Sequence, residues 1–160
     1  MKRLLLFLLC ALLFVGCSFN TTQNTTAEQT TTEPTHAQSY QIYIPTENAD
    51  GFVSEVLSVS EITPESVLEE LQNHKVLREN VIINRLEVAG TQLNLDFNQA
   101  FADVVCSTGT AGEMMIIGSV VNTYLSAYQS SQVDCVIITV EGSVWESGHV
   151  IYDEPIGPME

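Results

Sequence analysis

The pattern of hydrophobic and polar positions is most regular between Thr110 and Gly142. Apolar residues recur there at the three-to-four spacing that places them on one face of a helix: Met114, Ile117, Val121, Tyr124 and Tyr128. Thr110 and Glu113 have the spacing of a capping box, so we predict that the helix begins at Thr110. The β-branched residues 133–140 predict a buried strand after it. We therefore expect this helix, with one side covered, and this strand to form the centre of the core.

Shorter patterns upstream predict further strands and one more helix. Residues 40–45 and 51–60 are rich in aromatic and β-branched side chains, which favour strands. Thr63, Pro64 and Glu65 combine an N-cap, a proline at the first helical position and an early acid. These three signals predict the start of a short helix that ends between residues 74 and 77.

Residues 84–88 and 92–97 predict a hairpin that turns at Ala89-Gly90. Residues 98–109 have weak periodicity and predict a short helical turn and a loop. Residues 142–151 are expected to add a last strand or to cross the sheet edge, and Pro155 and Pro158 predict a fraying end. The predicted fold class is α/β of the α+β type: a single small domain with a mixed or antiparallel sheet of about four to five strands. Two helices pack on one face, in β-α-β-β-α-β order.

The first residues of the chain are predicted to be an export signal and a lipid anchor rather than part of this fold. Two cations, Lys2 and Arg3, precede twelve apolar residues, LLLFLLCALLFV, as in a secretory signal. The sequence from Phe14 to Cys17 resembles a bacterial lipobox, so we predict a lipoprotein signal peptide over residues 1–16 and lipidation of Cys17. The diacylglyceryl group would hold the protein on the membrane. The alternative is an ordinary signal peptide with an incidental cysteine.

A polar tether is predicted to separate the anchor from the folded domain. Residues 18–39 contain eight threonines and only Phe19 as an apolar residue beyond alanine. A flexible chain of this length reaches roughly 25 Å. We therefore divide the chain into the acylated cysteine and tether (17–39), the folded domain (40–153) and a C-terminal tail (154–160).

Charge narrows the choice of partners. The formal net charge is −15, and beyond the signal segment only Lys75, Arg78 and Arg85 oppose twenty carboxylates. Such a chain is repelled by phosphate backbones and by anionic headgroups, which excludes nucleic acid as a partner and leaves lipidation as the means of membrane attachment. The charge either keeps an exported domain soluble or matches a basic partner surface.

Several segments resemble the GerMN-type domain of sporulation and spore germination proteins. The segments are LNLDFNQAF (93–101), Gly112-Glu113, IGSVVNTYLSAY (117–128) and VDCVIITVEG (133–142). The resemblance implies a small α/β fold with two helices, a location on the outer face of the cell membrane, and a role in assembly or other cell-envelope processes. It brings no set of catalytic residues and no cofactor.

Candidate chemistry outside the resemblance is sparse. The imidazoles of His36, His74 and His149 lack the sequence context of a nucleophilic triad, and no zinc or calcium motif is present. Asp96 and Asp103 are interpreted as solvated strand and loop ends. We therefore predict no catalytic site, no metal and no small-molecule cofactor.

Three residues are candidate partner contacts: Asn122, Tyr43 and Trp145. Asn122 is unusual in the middle of a helix, so its amide either bonds a neighbouring backbone group or contacts a partner. Cys106 and Cys135 flank the central helix and either form a disulfide or remain free thiols. The favoured hypothesis is a non-catalytic interaction module that binds an envelope protein or peptidoglycan, and the alternative is a cell-wall hydrolase or a regulator of one.

Overall fold

A computed structural model describes residues 37–160 of the chain. The described residues form an α+β single domain, which confirms the predicted fold class. The strands divide between two sheets, and a third helix forms where only a helical turn was predicted. The elements are β1 (Gln38–Pro45), β2 (Phe52–Val59), α1 (Pro64–Asn73), β3 (Ile83–Ala89), β4 (Gln92–Phe97), α2 (Gln99–Cys106), α3 (Thr110–Ala127) and β5 (Cys135–Val140).

Strands β1 and β2 form a two-stranded antiparallel sheet of their own. Tyr40 and Ile42 of β1 are buried on one face, opposite Leu57 and Glu55 of β2. Glu55 on that face lies 3.7 Å from His74 at the end of α1. Strand β1 packs against α3, Glu55 of β2 reaches the end of α1, and most of β2 is exposed.

The second sheet has the order β3-β4-β5. Strands β3 and β4 form the predicted antiparallel hairpin, in which Gly90 adopts the positive φ of 66° that the tight turn needs. Strands β4 and β5 are parallel, so the chain must cross from one end of the sheet to the other through α2 and α3. Leu93, Leu95 and Phe97 are fully buried, as the alternation along β4 predicts.

Helix α1 begins as predicted from its first residues. The Thr63 hydroxyl accepts a hydrogen bond from the Ser66 backbone N–H at 3.1 Å, and the Ser66 hydroxyl accepts one from the Thr63 N–H at 2.9 Å. These reciprocal bonds form a capping box around Pro64. The helix buries Val67, Leu68 and Leu71 and ends at Asn73.

Helix α3 is buried on nearly all sides rather than on one face. Its residues 117–125 are all buried, polar ones included. A helix that is apolar all round is typical of a protein interior, and here β1, β5, α1 and α2 all pack against it. Met114, which the sequence pattern places on the covered face, is instead 50% exposed.

Helix α3 begins at Thr110 as predicted, but its capping differs from the prediction. Gly109 is the N-cap and makes no side-chain capping bond, so Thr110 and Glu113 form no capping box. Glu113 is only 1% exposed and points into the protein. Its carboxylate has partners from a distant segment, described below, and these hold it away from the helix end.

Stacked aromatic rings fill the space between α3, α2 and the C-terminal residues. Phe97 stacks on Phe101 with ring centroids 4.4 Å apart, and Phe101 meets the edge of Trp145 at 5.7 Å. Trp145 stacks on Tyr152 at 4.5 Å. Helix α2 forms because Phe101, Ala102, Val104 and Val105 are all buried in this cluster. No helix between residues 37 and 160 is long and apolar enough to cross a membrane.

Gly118 lies under the ring of Phe52 in the middle of α3. A Cβ atom at Gly118 would lie 2.4 Å from Phe52 Cζ, far inside van der Waals contact. The glycine therefore lets the β1–β2 hairpin lie against α3, at a cost to helix propensity of about 1 kcal/mol relative to alanine.

We expect Gly118→Ala to lower the free energy of unfolding by up to about 2 kcal/mol. Overpacking against Phe52 costs roughly 1–3 kcal/mol, and improved helix propensity offsets about 1 of that. In a Phe52→Ala background the same change should raise stability, because the clash is gone. Urea unfolding of the four variants measures this. A stabilising Gly118→Ala in the wild-type background would contradict the packing.

Candidate functional site

The side chain of Asn122 binds the backbone of Met159, near the C-terminus. Its Nδ2 donates to the Met159 carbonyl at 2.7 Å, and its Oδ1 accepts from the Met159 N–H at 2.9 Å. Asn122 is 6% exposed. The amide thus imitates a backbone partner in a β-bridge, which is the structural alternative for this mid-helix asparagine.

Two further hydroxyls of α3 bind the edge of β1 that is not paired with β2. Ser126 accepts a hydrogen bond from the Gln41 N–H at 2.8 Å, and Thr123 accepts one from the Tyr43 N–H at 3.0 Å. Backbone N–H groups on an unpaired strand edge need partners when they are covered. Polar residues of α3 therefore hold both β1 and the C-terminal residues against the helix.

Glu113 also binds the C-terminal segment, which we define as residues 143–160. Its Oε1 accepts hydrogen bonds from the Ser147 hydroxyl and the Tyr152 hydroxyl, each at 2.5 Å. The Ser147 hydroxyl also accepts from the backbone N–H groups of His149 and Val150 at 3.1 Å. The buried carboxylate is therefore part of a structural network that closes the turn over the start of α3.

The C-terminal segment is held along its length rather than fraying as predicted. Tyr152 binds Glu113, and Met159 binds Asn122. Between them, Ile156 exchanges two backbone hydrogen bonds with Val136 of β5, at 2.8 and 2.9 Å. Pro155 and Pro158 do not loosen the end, because the residues next to them supply the N–H groups that pair.

Two grooves follow the C-terminal segment where it crosses α3. A mixed groove of about 410 Å³ lies between β1 and the segment, with Tyr43, Gln41 and Ser126 supplying its polar lining. An apolar groove of about 430 Å³ lies between the segment and the first turns of α3, where Met114 and Ile117 line it. Both grooves are preformed because their walls are hydrogen-bonded to the helix between them.

The structure places the predicted partner contacts differently. Tyr43 is half-buried in the lining of the mixed groove, and its hydroxyl donates to Gln41 Oε1 at 2.9 Å. Trp145 is buried in the aromatic cluster. Asn122 lines the mixed groove, but both ends of its amide bind Met159. Of the three, Tyr43 is the least buried, and a partner contact stays a prediction for each of them.

The two cysteines of the domain are free thiols in the structure. Cys106 ends α2 and is exposed, whereas Cys135 begins β5 beside Thr91, at the hairpin end of the sheet. Burial, followed by the neighbouring Asp134, raises the pKa of the Cys135 thiol. Cys17, the predicted lipidation site, and His36 lie outside the described residues.

The side chains considered for acid–base or nucleophilic work have structural partners. His74 lies beside Glu55 and Glu70, and the Ser107 hydroxyl donates to the Val104 carbonyl at 2.7 Å. Among residues 37–160 no group of three or more histidine, cysteine or acidic side chains is placed to hold a metal ion. Within residues 37–160, the imidazole of His74 bonds the Glu70 carbonyl, and His149 bonds the Ser147 hydroxyl through its backbone N–H rather than through its ring.

Asp96 links the end of β4 to the turn after β5. It accepts hydrogen bonds from the Thr139 hydroxyl and the Gly142 N–H, both at 2.7 Å, and from Asn84. Partial burial opposes ionisation, but these bonds outweigh it and hold the pKa of Asp96 below its usual value. The carboxylate thus stabilises a turn, and the more exposed Asp103 only accepts from Gln99.

The family comparison fits this arrangement. A family model described as sporulation and spore germination matches residues 22–145. The chain belongs to the Germane family. The predicted resemblance to GerMN-type domains is thereby confirmed, and the Germane match ends at Trp145, before most of the C-terminal segment. No curated protein sequence matches the chain significantly.

Three solved structures are similar to this Germane domain to different degrees. The tandem GerMN domains of the sporulation protein GerM from Bacillus subtilis superpose with a TM-score of 0.52 at 16% identity, over 79% of this chain and 48% of that one. The chain thus spans about half the length of that tandem structure. A candidate lipoprotein from Clostridium perfringens gives 0.48 at 12% identity, covering 76% and 87% of the two chains. The first GerM domain alone gives 0.43 at 15%, covering 66% and 84%.

We expect Asn122→Asp to lower the free energy of unfolding by about 1–3 kcal/mol at pH 7, because the carboxylate faces the Met159 carbonyl without a proton. Burial raises the folded-state pKa of the introduced acid above its unfolded value. Stability relative to wild type is therefore retained below about pH 4 and lost as the pH rises. Urea unfolding at pH 4 and pH 7 measures this, with the exposed Asn80→Asp as control. Equal losses in both variants would argue against the bond.

We also expect the domain to lose stability in alkali through its tyrosines. Burial raises the pKa of Tyr40 and Tyr128 to about 12 and that of Tyr124 well above its usual value. Burial and the bond to Glu113 raise the pKa of Tyr152 as well. Because these folded-state pKa values exceed the unfolded value of about 10, their contribution is complete below that pH and is lost above it.

Tyr152→Phe should therefore make the loss of stability between pH 9 and pH 11 shallower than in wild type. The slope of the free energy of unfolding against pH should decrease by the equivalent of roughly one bound proton. Urea midpoints over this range measure it, and the midpoint at pH 8 gives the separate cost of the lost hydrogen bond. Parallel curves for the two proteins would show that the Tyr152 proton is not coupled to folding.

Proposed function

We propose that the chain is a lipid-anchored protein on the extracytoplasmic face of the cell membrane, and that its Germane domain is a non-catalytic interaction module. It would act in cell-envelope assembly connected with sporulation or germination, by binding a protein or cell-wall glycan. The single observation that carries this proposal is the Germane match over residues 22–145, which covers most of the chain.

The structure supports an interaction module because polar side chains of α3 make their hydrogen bonds within the domain. Asn122, Thr123 and Glu113 all bind segments of the domain itself. The open features of the described surface include the two grooves and the exposed face of β2. A protein that works by contact needs a rigid surface of this kind rather than a reactive centre.

The anchor completes the proposal. Cys17 follows a short apolar segment, and each buried acyl CH₂ group contributes roughly 0.8 kcal/mol, so two chains hold a protein stably. The polar tether that follows would keep the acidic domain clear of anionic headgroups, whose field falls off within about 8 Å. Lipid attachment and negative charge are therefore compatible in one chain.

Labelling with a fatty-acid analogue in the producing cells tests the anchor. The wild-type chain should carry the label and sediment with membranes, and Cys17→Ala should lose both properties. The matched control is Cys10→Ala, which leaves the lipobox intact and should keep the label. Labelling that survives Cys17→Ala would overturn the anchor, and turnover of peptidoglycan fragments by the purified chain would overturn the non-catalytic role.

A further inference from the structure

The apolar groove is the part of the surface where exposed hydrophobic side chains converge. Met114 is 50% exposed, Val150 46% and Ile151 59%, and all three line the groove. Its volume of about 430 Å³ is within the range of roughly 300–1,000 Å³ that is typical of ligand-binding clefts. Exposed apolar side chains gathered in one depression mark an interaction site more often than the same residues scattered.

The groove is rigid although one wall is irregular backbone. That wall, residues 150–157, is held by the Tyr152 hydroxyl on Glu113 and by the paired backbone of Ile156 and Val136. Just beyond it, Met159 is bound to Asn122. A wall held at three points loses little conformational freedom when a ligand binds, so a larger share of the contact energy becomes affinity.

The rim of the groove is acidic. Asp153 and Glu154 line it, and the cations of the described region lie elsewhere: Lys75 and Arg78 line a depression beyond α1, and Arg85 is on β3. An apolar floor with a negative rim is complementary to a ligand with apolar side chains next to positive charges.

We propose that this groove binds an amphipathic segment of another envelope protein, in which apolar side chains are flanked by lysine or arginine. The inference rests on the proposed function as an interaction module and names the surface and the chemistry of the partner. A second copy of this chain fits poorly, because pairing the grooves would bring two acidic rims together. An anionic lipid surface is disfavoured for the same reason.

A fluorescent peptide tests the proposal on the full chain held in phosphatidylcholine nanodiscs, with empty nanodiscs as the blank. The probe is Lys-Leu-Leu-Lys-Trp-Leu-Lys. Two control peptides replace either the lysines with glutamate or the leucines and tryptophan with serine. We expect saturable binding of the probe that weakens with salt, and at least about tenfold weaker binding of both controls.

Substitutions locate the binding. Met114→Gln and Ile151→Gln should each weaken the probe about tenfold, whereas Ile82→Gln, at an exposed position outside the groove, should change it less than twofold. Asp153→Asn with Glu154→Gln should also weaken binding and flatten its salt dependence. The same change of charge at the exposed Glu61 and Glu79 is the control. Circular dichroism confirms that each variant is folded.

Equal affinity in the groove variants and their controls would overturn the proposal, as would the absence of saturable binding. Self-association that Met114→Gln abolishes, or peptidoglycan fragments that displace the probe from the groove, would assign a different occupant and overturn it too. A failed titration leaves the lipid anchor and the envelope role standing. Conversely, a wild-type chain that takes up no label would refute the anchor, and the same titration would then be run on the full chain in detergent micelles.

Discussion

The burial of α3 on nearly all sides is the constraint on which the rest of the structure depends. A helix flanked on every side needs several different elements to cover it, and two of these, β1 and the C-terminal segment, bring unpaired backbone groups with them. Leaving such groups buried without partners costs about 1–3 kcal/mol each. Asn122, Thr123 and Ser126 supply the partners, which explains why these three polar residues interrupt an otherwise apolar helix.

The same arrangement shapes the surface. Helix α3 lines both grooves, the mixed one with Asn122, Leu125 and Ser126 and the apolar one with Met114 and Ile117. Their walls are the edge of β1 and the C-terminal segment, which the polar residues of the helix hold in place. Any ligand of either groove would therefore contact side chains whose positions are fixed by the core. The hydrogen bonds that stabilise the fold thus also shape the binding surface.

Local signals in the sequence predicted most of the secondary structure. The Thr63-Pro64 start, the turn at Gly90 and the alternation from Leu93 to Phe97 are each decided by a few neighbouring residues, and each is found in the structure. The division into two sheets is not local. It depends on α3 lying beside β1, and the spacing of apolar residues along either element does not specify that contact.

The site was less predictable for the same physical reason. Glu113 has the spacing of a capping residue, and nothing near it shows that Ser147 and Tyr152 will reach it from more than thirty positions away. The unusual position of Asn122 signalled either a backbone bond or a partner contact, and the group that it binds, Met159, lies in a segment whose two prolines predicted a fraying end. Exposed apolar residues such as Ile151 line a groove because the C-terminal segment is hydrogen-bonded to α3 and β5. The sequence does not show those bonds.

Native-state hydrogen exchange tests the central claim most directly, because it measures the opening of each backbone N–H separately. The account predicts that the amides of Gln41, Tyr43, Ile156 and Met159 open with free energies close to those of the middle of α3. Exchange of Ile156 and Met159 at the rate of an unstructured peptide, while α3 remains protected, would contradict it.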